Sequence, residues 1–355
     1  MTLTEFNQIN GFPEVRPIEN FRKYHSIDNL KDSTILWLHD LGFLGEDTTW
    51  IAQEKIHGAN FSIYCNGTGV KFGKRSGFIE GDSSFYGHKN LENVLTERTL
   101  NLFTRLAISQ VAHGAEPLLD LIIFGEICGG FYPGVPTVPG AKQVQRGVNY
   151  SPRNEFIVFD IMANGRYLSD LHVAEICDLH GFYQAPVFAQ GKFEELAKIN
   201  PEFPTIIPRH LFGLPDVEDN VAEGFILKPI HPRYAPNGER IILKVKGSKF
   251  KEKDAKPTNL EYAPVVIQVA EELGSYITEN RLNNVCSKLD ESELKPANFG
   301  KILGLLVHDA IEEFNKDNNY KDSPYLKLED DLQHKINKVL SKKAQVLVKK
   351  KLLLG

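Results

Sequence analysis

A chain of 355 residues, 42% hydrophobic and 25% charged, has the composition of a soluble globular protein and is long enough to bury two cores. Its formal net charge of −5 excludes nucleic-acid binding by a bulk positive field, so any such binding must use local patches. No apolar run approaches the length that crosses a bilayer, no basic-then-apolar leader opens the chain, and the four cysteines stand far apart, so the expectation is a cytoplasmic protein without membrane association, with reduced thiols and no disulfide framework.

Up to about residue 250, short alternating or continuous apolar runs at 61–65, 70–73, 118–124, 156–161, 224–227 and 241–245 predict strands, and Asn66-Gly67 supplies a hairpin turn after the first. Helical spacing intervenes at 90–113, 170–179 and 193–199. A charged joint follows, and beyond it apolar residues at helical spacing mark three helices, the last over 326–352. The expected fold class is α+β: a domain at 1–250 of antiparallel sheets flanked by helices, a linker at 251–260, and a small all-α domain at 261–355.

Candidate chemistry lies in the first region. Lys55 precedes an alternating strand and is followed three positions later by Gly58; the lysine reads as a nucleophile, and the glycine as room for a phosphate-bearing ligand to approach the backbone. Glu126 ends an apolar run, suited to a ribose hydroxyl or a metal, or else a solvated loop acid. Phe159 reads as core or as a base-stacking platform. Glu223 opens a strand on the apolar face of Phe225 and Leu227 and so needs a partner, either a divalent metal or a lysine. Lys244 and Lys246 share a strand face, where they either grip phosphate oxygens or guard an edge strand.

In chain order, Lys55 with Gly58, Lys74-Arg75, Gly125-Glu126, Val158-Phe159-Asp160, Glu223-Gly224 with Lys228, and Lys244-Val245-Lys246 resemble the motif series of the covalent nucleotidyltransferases. The segments EKIHGANFS from Glu54, FGE from Phe124, EGFILKP from Glu223 and KVKGSKF from Lys244 are similar to the phage-type RNA ligase 2 family, to which the kinetoplastid RNA-editing ligases are related. The likeness runs from about Phe21 to Phe314.

That resemblance implies an ATP-dependent RNA ligase whose first domain is the nucleotidyltransferase, with ATP and Mg²⁺ or Mn²⁺ as cofactors. Lys55 would take AMP from ATP, pass it to an RNA 5′-phosphate, and leave a 3′-hydroxyl to displace it, with Glu223, Lys244 and Lys246 as the other catalytic residues. Glu54, Ile56, His57, Asn60, Arg75, Glu126, Phe159 and Lys228 would bind the nucleotide, and Glu126 and Glu223 the metal. Tyr24, Lys74, Gln145, Asp170, Arg281, Asp309 and Glu313 would serve RNA. The implied substrate is RNA ends, at nicks in duplexes, and the implied state a monomer. His57 stands where DNA ligases and capping enzymes commonly show aspartate, and helices replace the β-barrel that usually follows in those enzymes. Both features favour an RNA ligase over these relatives. A complete set of nucleophile, carboxylates and lysines argues against a non-catalytic binder of RNA ends. Gln53 and Gln190 stand where the pattern has arginine, removing two charges from where RNA phosphates are expected.

Overall fold

The computed structural model describes residues 17–45, 47–81, 85–250, 264–287, 289 and 293–354, so the joint expected at 251–260 lies outside the described residues. In chain order the strands are β1 (Asp28–Asn29), β2 (Trp50–Glu54), β3 (Ala59–Cys65), β4 (Val70–Lys74), β5 (Gly77–Phe78), β6 (Leu121–Phe131), β7 (Ser151–Ala163), β8 (Arg166–Tyr167), β9 (Tyr183–Gln184), β10 (Val187–Gly191), β11 (Gly224–Pro229) and β12 (Leu243–Lys246). The helices are α1 (Asp32–Asp40), α2 (Lys89–Ala112), α3 (Asp170–His180), α4 (Phe193–Leu196), α5 (Ile207–Phe212), α6 (Pro264–Ser275), α7 (Glu279–Cys286), α8 (Phe299–Asp317) and α9 (Asp330–Leu354). Among them none is long and apolar enough to cross a membrane.

Two sheets form the first region, one in the order β1-β12-β11-β2-β10 and one in the order β5-β4-β3-β6-β7-β8, with β9 also on β7. Their pairings are antiparallel except for the two-residue strands β1 and β9, which run parallel to β12 and β7. The α+β class therefore holds, with a helical C-terminal region. The Asn66-Gly67 hairpin forms as expected: Gly67 takes a φ of 88°, and the Asn66 side chain accepts from the amides of Thr68 and Gly69.

Residues 55–58 cross from β2 in one sheet to β3 in the other, so Lys55 sits in a crossing between sheets rather than at the mouth of one strand. The crossing is tight. A Cβ on Gly58 would lie 2.3 Å from the Ile127 carbonyl oxygen and 2.7 Å from Glu126 Cγ, so packing against β6 requires the glycine, a reason that the sequence did not suggest. Nor does Glu126 end its strand. β6 continues to Phe131, leaving Glu126 in mid-strand opposite Asn60.

Apolar periodicity did not reveal α1, because Ile35, Leu36, Trp37 and Leu38 are buried in succession and leave no one-sided stripe. They share one core with Trp50, Ala52, Phe225 and Leu227 of the first sheet and with Val269, Leu273, Leu340 and Ala344 of α6 and α9. The Lys343 ammonium lies 3.2 Å from Asp40 Oδ1, and the Lys342 ammonium stands 3.7 Å from the centre of the Trp37 ring. The helical region is thus packed into the first region's core. Leu38→Ala is expected to lower stability by ~2–5 kcal/mol in urea unfolding. Tryptophan fluorescence, which reports only Trp37 and Trp50, and far-ultraviolet circular dichroism should shift together. A fluorescence shift without a matching loss of helical signal would mean that the two regions unfold apart.

Candidate active site

Alternation along β2 sends Trp50 and Ala52 into the shared core and turns Ile51, Gln53 and then Lys55 to the opposite face. Register extends that face across the sheet: Ile226 stands between Gln53 and Lys244, Lys228 beside Ile51, and Gly224 beside Lys246. One end of the face therefore carries Lys55 and Lys246, the middle Gln53 and Ile226, and the far end Ile51 and Lys228. This face forms one wall of a cleft that is also lined by Asn60, Arg75, Glu126 and Phe159, with about 750 Å³ of empty space including its open mouth.

At the lysine end a single carboxylate gathers three donors. Glu223 Oε2 accepts from the Lys55 ammonium at 2.7 Å and lies 3.2 Å from His57 Nδ1, while Oε1 is 3.2 Å from the Lys246 ammonium. Burial by itself would raise this carboxyl, but the His57 hydrogen bond, Lys55 and Lys246 together hold it at about 2. Two of its partners are lysines, as the sequence allowed, and the third is His57, but its face is not the expected one. Glu223 precedes β11, and Gly224 turns the backbone with a φ of +137°, so the alternation that buries Phe225 and Leu227 does not extend to it. A Cβ on Gly224 would meet the Val245 carbonyl at 2.0 Å, so this glycine lets β11 start close against β12.

His57 is held on several sides. Its backbone amide donates to the Tyr150 hydroxyl at 2.9 Å, its Nε2 lies 3.1 Å from the Arg146 carbonyl, and its ring packs edge-on against Phe250. Both ring nitrogens face oxygens that only accept, so the ring donates at both ends only when protonated. Glu54, immediately before the nucleophile, is 1% exposed and accepts from the Thr205 hydroxyl and, at 3.0 Å, from the Ile206 amide. Burial pushes it up to about 7 against those two hydrogen bonds.

The second sheet supplies the facing wall. Burial pushes Glu126 up to about 8, with Lys55 and Arg75 pulling it down and Glu223 adding to the push. Between Phe124 opposite Asp160 and Gly125 opposite Val158, β7 carries one extra residue, Phe159. That bulge aims the ring into the cleft and leaves the Phe159 carbonyl to accept from Lys228 at 2.8 Å. Behind it Arg240 grips Asp160 with two bonds of 2.8 Å, and Lys228 also lies 3.3 Å from Asp160 and 3.0 Å from Asp170. Arg240 and Lys228 together hold the Asp160 carboxyl well below the usual carboxylate range, against the opposing pull of burial.

A family model described as RNA ligase matches residues 48–246, and one described as T4 RNA ligase 2 C-terminal matches residues 262–346. The chain belongs to the RNA ligase family. It is 27% identical over 363 residues to the mitochondrial RNA-editing ligase 1 of Trypanosoma brucei brucei, covering 84% of this chain and 76% of that protein. It is 26% identical over 360 residues to the mitochondrial RNA-editing ligase 2 of the same organism, covering 84% and 83%. Among solved structures, a mutant of the Naegleria gruberi RNA ligase with ATP and Mn aligns at 11% identity and a TM-score of 0.43, over 66% of this chain and 59% of that one. The resemblance drawn from the motifs is borne out by the family matches.

Within this ligase the structure brings Lys55, His57, Asn60, Arg75, Glu126, Phe159, Glu223 and Lys246 to one cleft, with Ile56 and Lys228 in its lining and Lys244 on the same strand face as Lys246. Two residues assigned to RNA are elsewhere than expected. Tyr24 is buried with its hydroxyl donating to Asp160, and Asp170 is buried against Lys228, so both brace the cleft from within rather than face an RNA strand. Lys74 is half-buried on β4 and Gln145 lies at the rim, 3.4 Å from the Gly58 carbonyl. Arg281 pairs with Asp309 at 2.7 Å, and Glu313 lies 3.9 Å from Lys316 on the same helix. Gln190 is exposed on β10, whereas Gln53 is buried in the cleft wall with its amide nitrogen donating to the Ala185 carbonyl. Sequence reasoning missed Tyr150 and Arg240, which belong to none of the motifs, and Asp160, visible only as the neighbour of Phe159.

Glu54 gives a test by pH. Below about 4.5 both folded and unfolded chains hold its proton; between there and about 7 the unfolded chain loses it first, so this group's contribution to stability falls as pH rises. The stability of Glu54→Gln relative to the parent should therefore climb across that window, by at most ~3 kcal/mol. A difference in urea midpoints that stays flat between pH 4.5 and 7 would show that the buried carboxyl is not titrating there.

Proposed function

We propose that this chain seals RNA 3′-hydroxyl and 5′-phosphate ends, at nicks in duplexes and as a monomer, by way of a Lys55–AMP adduct formed from ATP. The observation that carries the reading is Glu223 bonded to Lys246 and to Lys55, which lines a cleft with an aromatic wall. Two ammonium groups on one carboxylate leave positive charge in excess, and that excess is where phosphate oxygens would settle.

Lys55 first gives up an ammonium proton to solvent, and the freed lone pair attacks the α-phosphorus; a P–N bond forms, the bond to the β-phosphate oxygen breaks, and pyrophosphate leaves with its electron pair. An oxygen of the RNA 5′-phosphate then attacks the same phosphorus, and the P–N pair returns to Lys55 with a proton. Finally the 3′-hydroxyl attacks the activated 5′-phosphate, loses its proton and releases AMP. Glu223, held at about 2, stays a carboxylate through neutral pH, so it positions Lys55 and does not store protons. Glu126 and Asn60, opposite one another on β6 and β3, face the place where the ribose would lie.

The donor set fits a Mg²⁺ or Mn²⁺ that arrives with the triphosphate. Among the described residues no group of three or more His, Cys, Asp or Glu side chains could hold a metal, but Glu126 and Glu223 flank Lys55, and such ions are commonly held by one or two carboxylates plus phosphate and water oxygens. When bound there, the ion would neutralise phosphate charge.

Incubation with α-labelled ATP and Mg²⁺ should give a denaturation-resistant labelled chain, and Lys55→Ala should give none. Glu223→Gln and Lys246→Ala should each slow labelling by at least ~10²-fold, the scale of losing one preorganised charge contact. Labelling of Lys55→Ala would move the nucleophile elsewhere. The labelled protein should then seal nicked duplexes built from RNA, and equal sealing of all-DNA nicks would move the reading to DNA ligation.

A further inference from the structure

The turn that carries the nucleophile is held at every residue. The Lys55 amide donates to the Gly224 carbonyl at 2.9 Å, the Ile56 side chain is buried with Val148 and Ile157, the His57 amide donates to the Tyr150 hydroxyl at 2.9 Å, and Gly58 packs where a Cβ would strike the Ile127 carbonyl oxygen. Three of these contacts use backbone or aliphatic groups. The fourth uses a phenol, which packing alone does not call for. Tyr150 is 1% exposed and belongs to the same apolar cluster as Ile56, where phenylalanine would fill the space without desolvating a hydroxyl. Among the described residues the hydroxyl's one hydrogen-bond partner is the His57 amide.

Tyr150 is itself tied down. The Asn149 amide donates to Asn220 Oδ1 and the Asn149 carbonyl accepts from Asn220 Nδ2, both at 2.8 Å, and the buried Asn220 stands three residues before Glu223. One asparagine thus joins the chain leading to the phenol to the chain leading to the carboxylate that holds Lys55. Burial, and after it Glu54, push the phenol well above its ordinary range, so it stays a neutral hydroxyl that can accept from an amide. Tyr150 is not one of the described residues lining the cleft, so its effect on the reaction passes through the turn.

We propose that Tyr150 is a positioning residue for the nucleophile: by accepting from the His57 amide, its hydroxyl fixes the turn so that the Lys55 nitrogen meets Glu223 and the α-phosphorus together. This rests on the Lys55–AMP reading proposed above. Without the hydroxyl the amide lacks its acceptor, and the turn must move to find another. Attack tolerates little movement, since a misplacement of about 1 Å costs on the order of 10²-fold in rate.

The test compares Tyr150→Phe, which keeps the ring, with Ile207→Val, which trims the same cluster and leaves the hydroxyl in place. In the full chain Tyr150→Phe should slow label transfer from α-labelled ATP by ~10–100-fold in kcat, with KM for ATP within ~3-fold of the parent's. It should seal a nicked RNA duplex whose 5′ end already carries AMP within ~3-fold of the parent's rate, because that step makes no bond to Lys55. Ile207→Val should label within ~3-fold of the parent, whatever its urea midpoint. Asn220→Ala, which loosens Tyr150 and leaves its ring intact, should show the same split between labelling and sealing, so the assignment stays testable if Tyr150→Phe does not fold. Unchanged labelling, equal slowing of both reactions, or a slowing matched by Ile207→Val makes Tyr150 a core residue only and overturns the assignment. A parent that takes no label from ATP overturns the ligase reading itself, and this inference with it.

Discussion

A buried carboxylate that cannot be left unpaired organises this protein. Glu223 is 5% exposed, and its two oxygens draw together Lys55 from the crossing after β2, His57 two residues on, and Lys246 from the end of β12. An uncompensated anion at that depth would be strongly unfavourable, so three separate chain segments converge on it. The convergence serves chemistry as well as stability, since the cations outnumber the anion and the surplus faces the cleft.

The opposite end of the cleft follows another rule. Asp160, Asp170, Lys228 and Arg240 are all buried there, two charges of each sign, and the Arg240 guanidinium also stands 3.9 Å from the Tyr167 ring. Balanced charges leave no surplus field, and next to them the wall is Phe159, Ile226 and Ile242. Surplus positive charge at one end and neutral, apolar lining at the other match the polarity of a nucleotide from phosphate to base. Lys228 helps to produce that contrast without being available to phosphate, because its ammonium is already bonded to the Phe159 carbonyl and two carboxylates.

Helix α1 carries the first sheet into the helical region. Its four consecutive buried residues are covered by strands on one side and by α6 and α9 on the other, so the face of β2 opposite Gln53 and Lys55 is backed by the shared core. Packed side chains back the nucleophile's strand and join it to the helical region.

By itself the sequence determined what local pattern and motif order determine: the α+β class, the hairpin at Asn66-Gly67, the long helix after Lys89, the nucleophile-bearing segment at Lys55, and the ligase family, because these depend on neighbours along the chain. Glu223, Lys244 and Lys246 were legible for the same reason, each standing in a motif whose spacing is local. The tertiary structure alone decided what each motif touches. Gly58 yields to a carbonyl of β6, Glu126 lies in mid-strand, and Tyr24 and Asp170 turn inward to a charge network completed by Arg240, 80 residues from Asp160. Gln53 shows the limit most plainly: as a letter it is a missing arginine, but once β2 pairs with β11 it is buried in the cleft wall, its amide nitrogen donating to the Ala185 carbonyl. Strand register and burial set that placement, and neither is written in any residue's own neighbourhood.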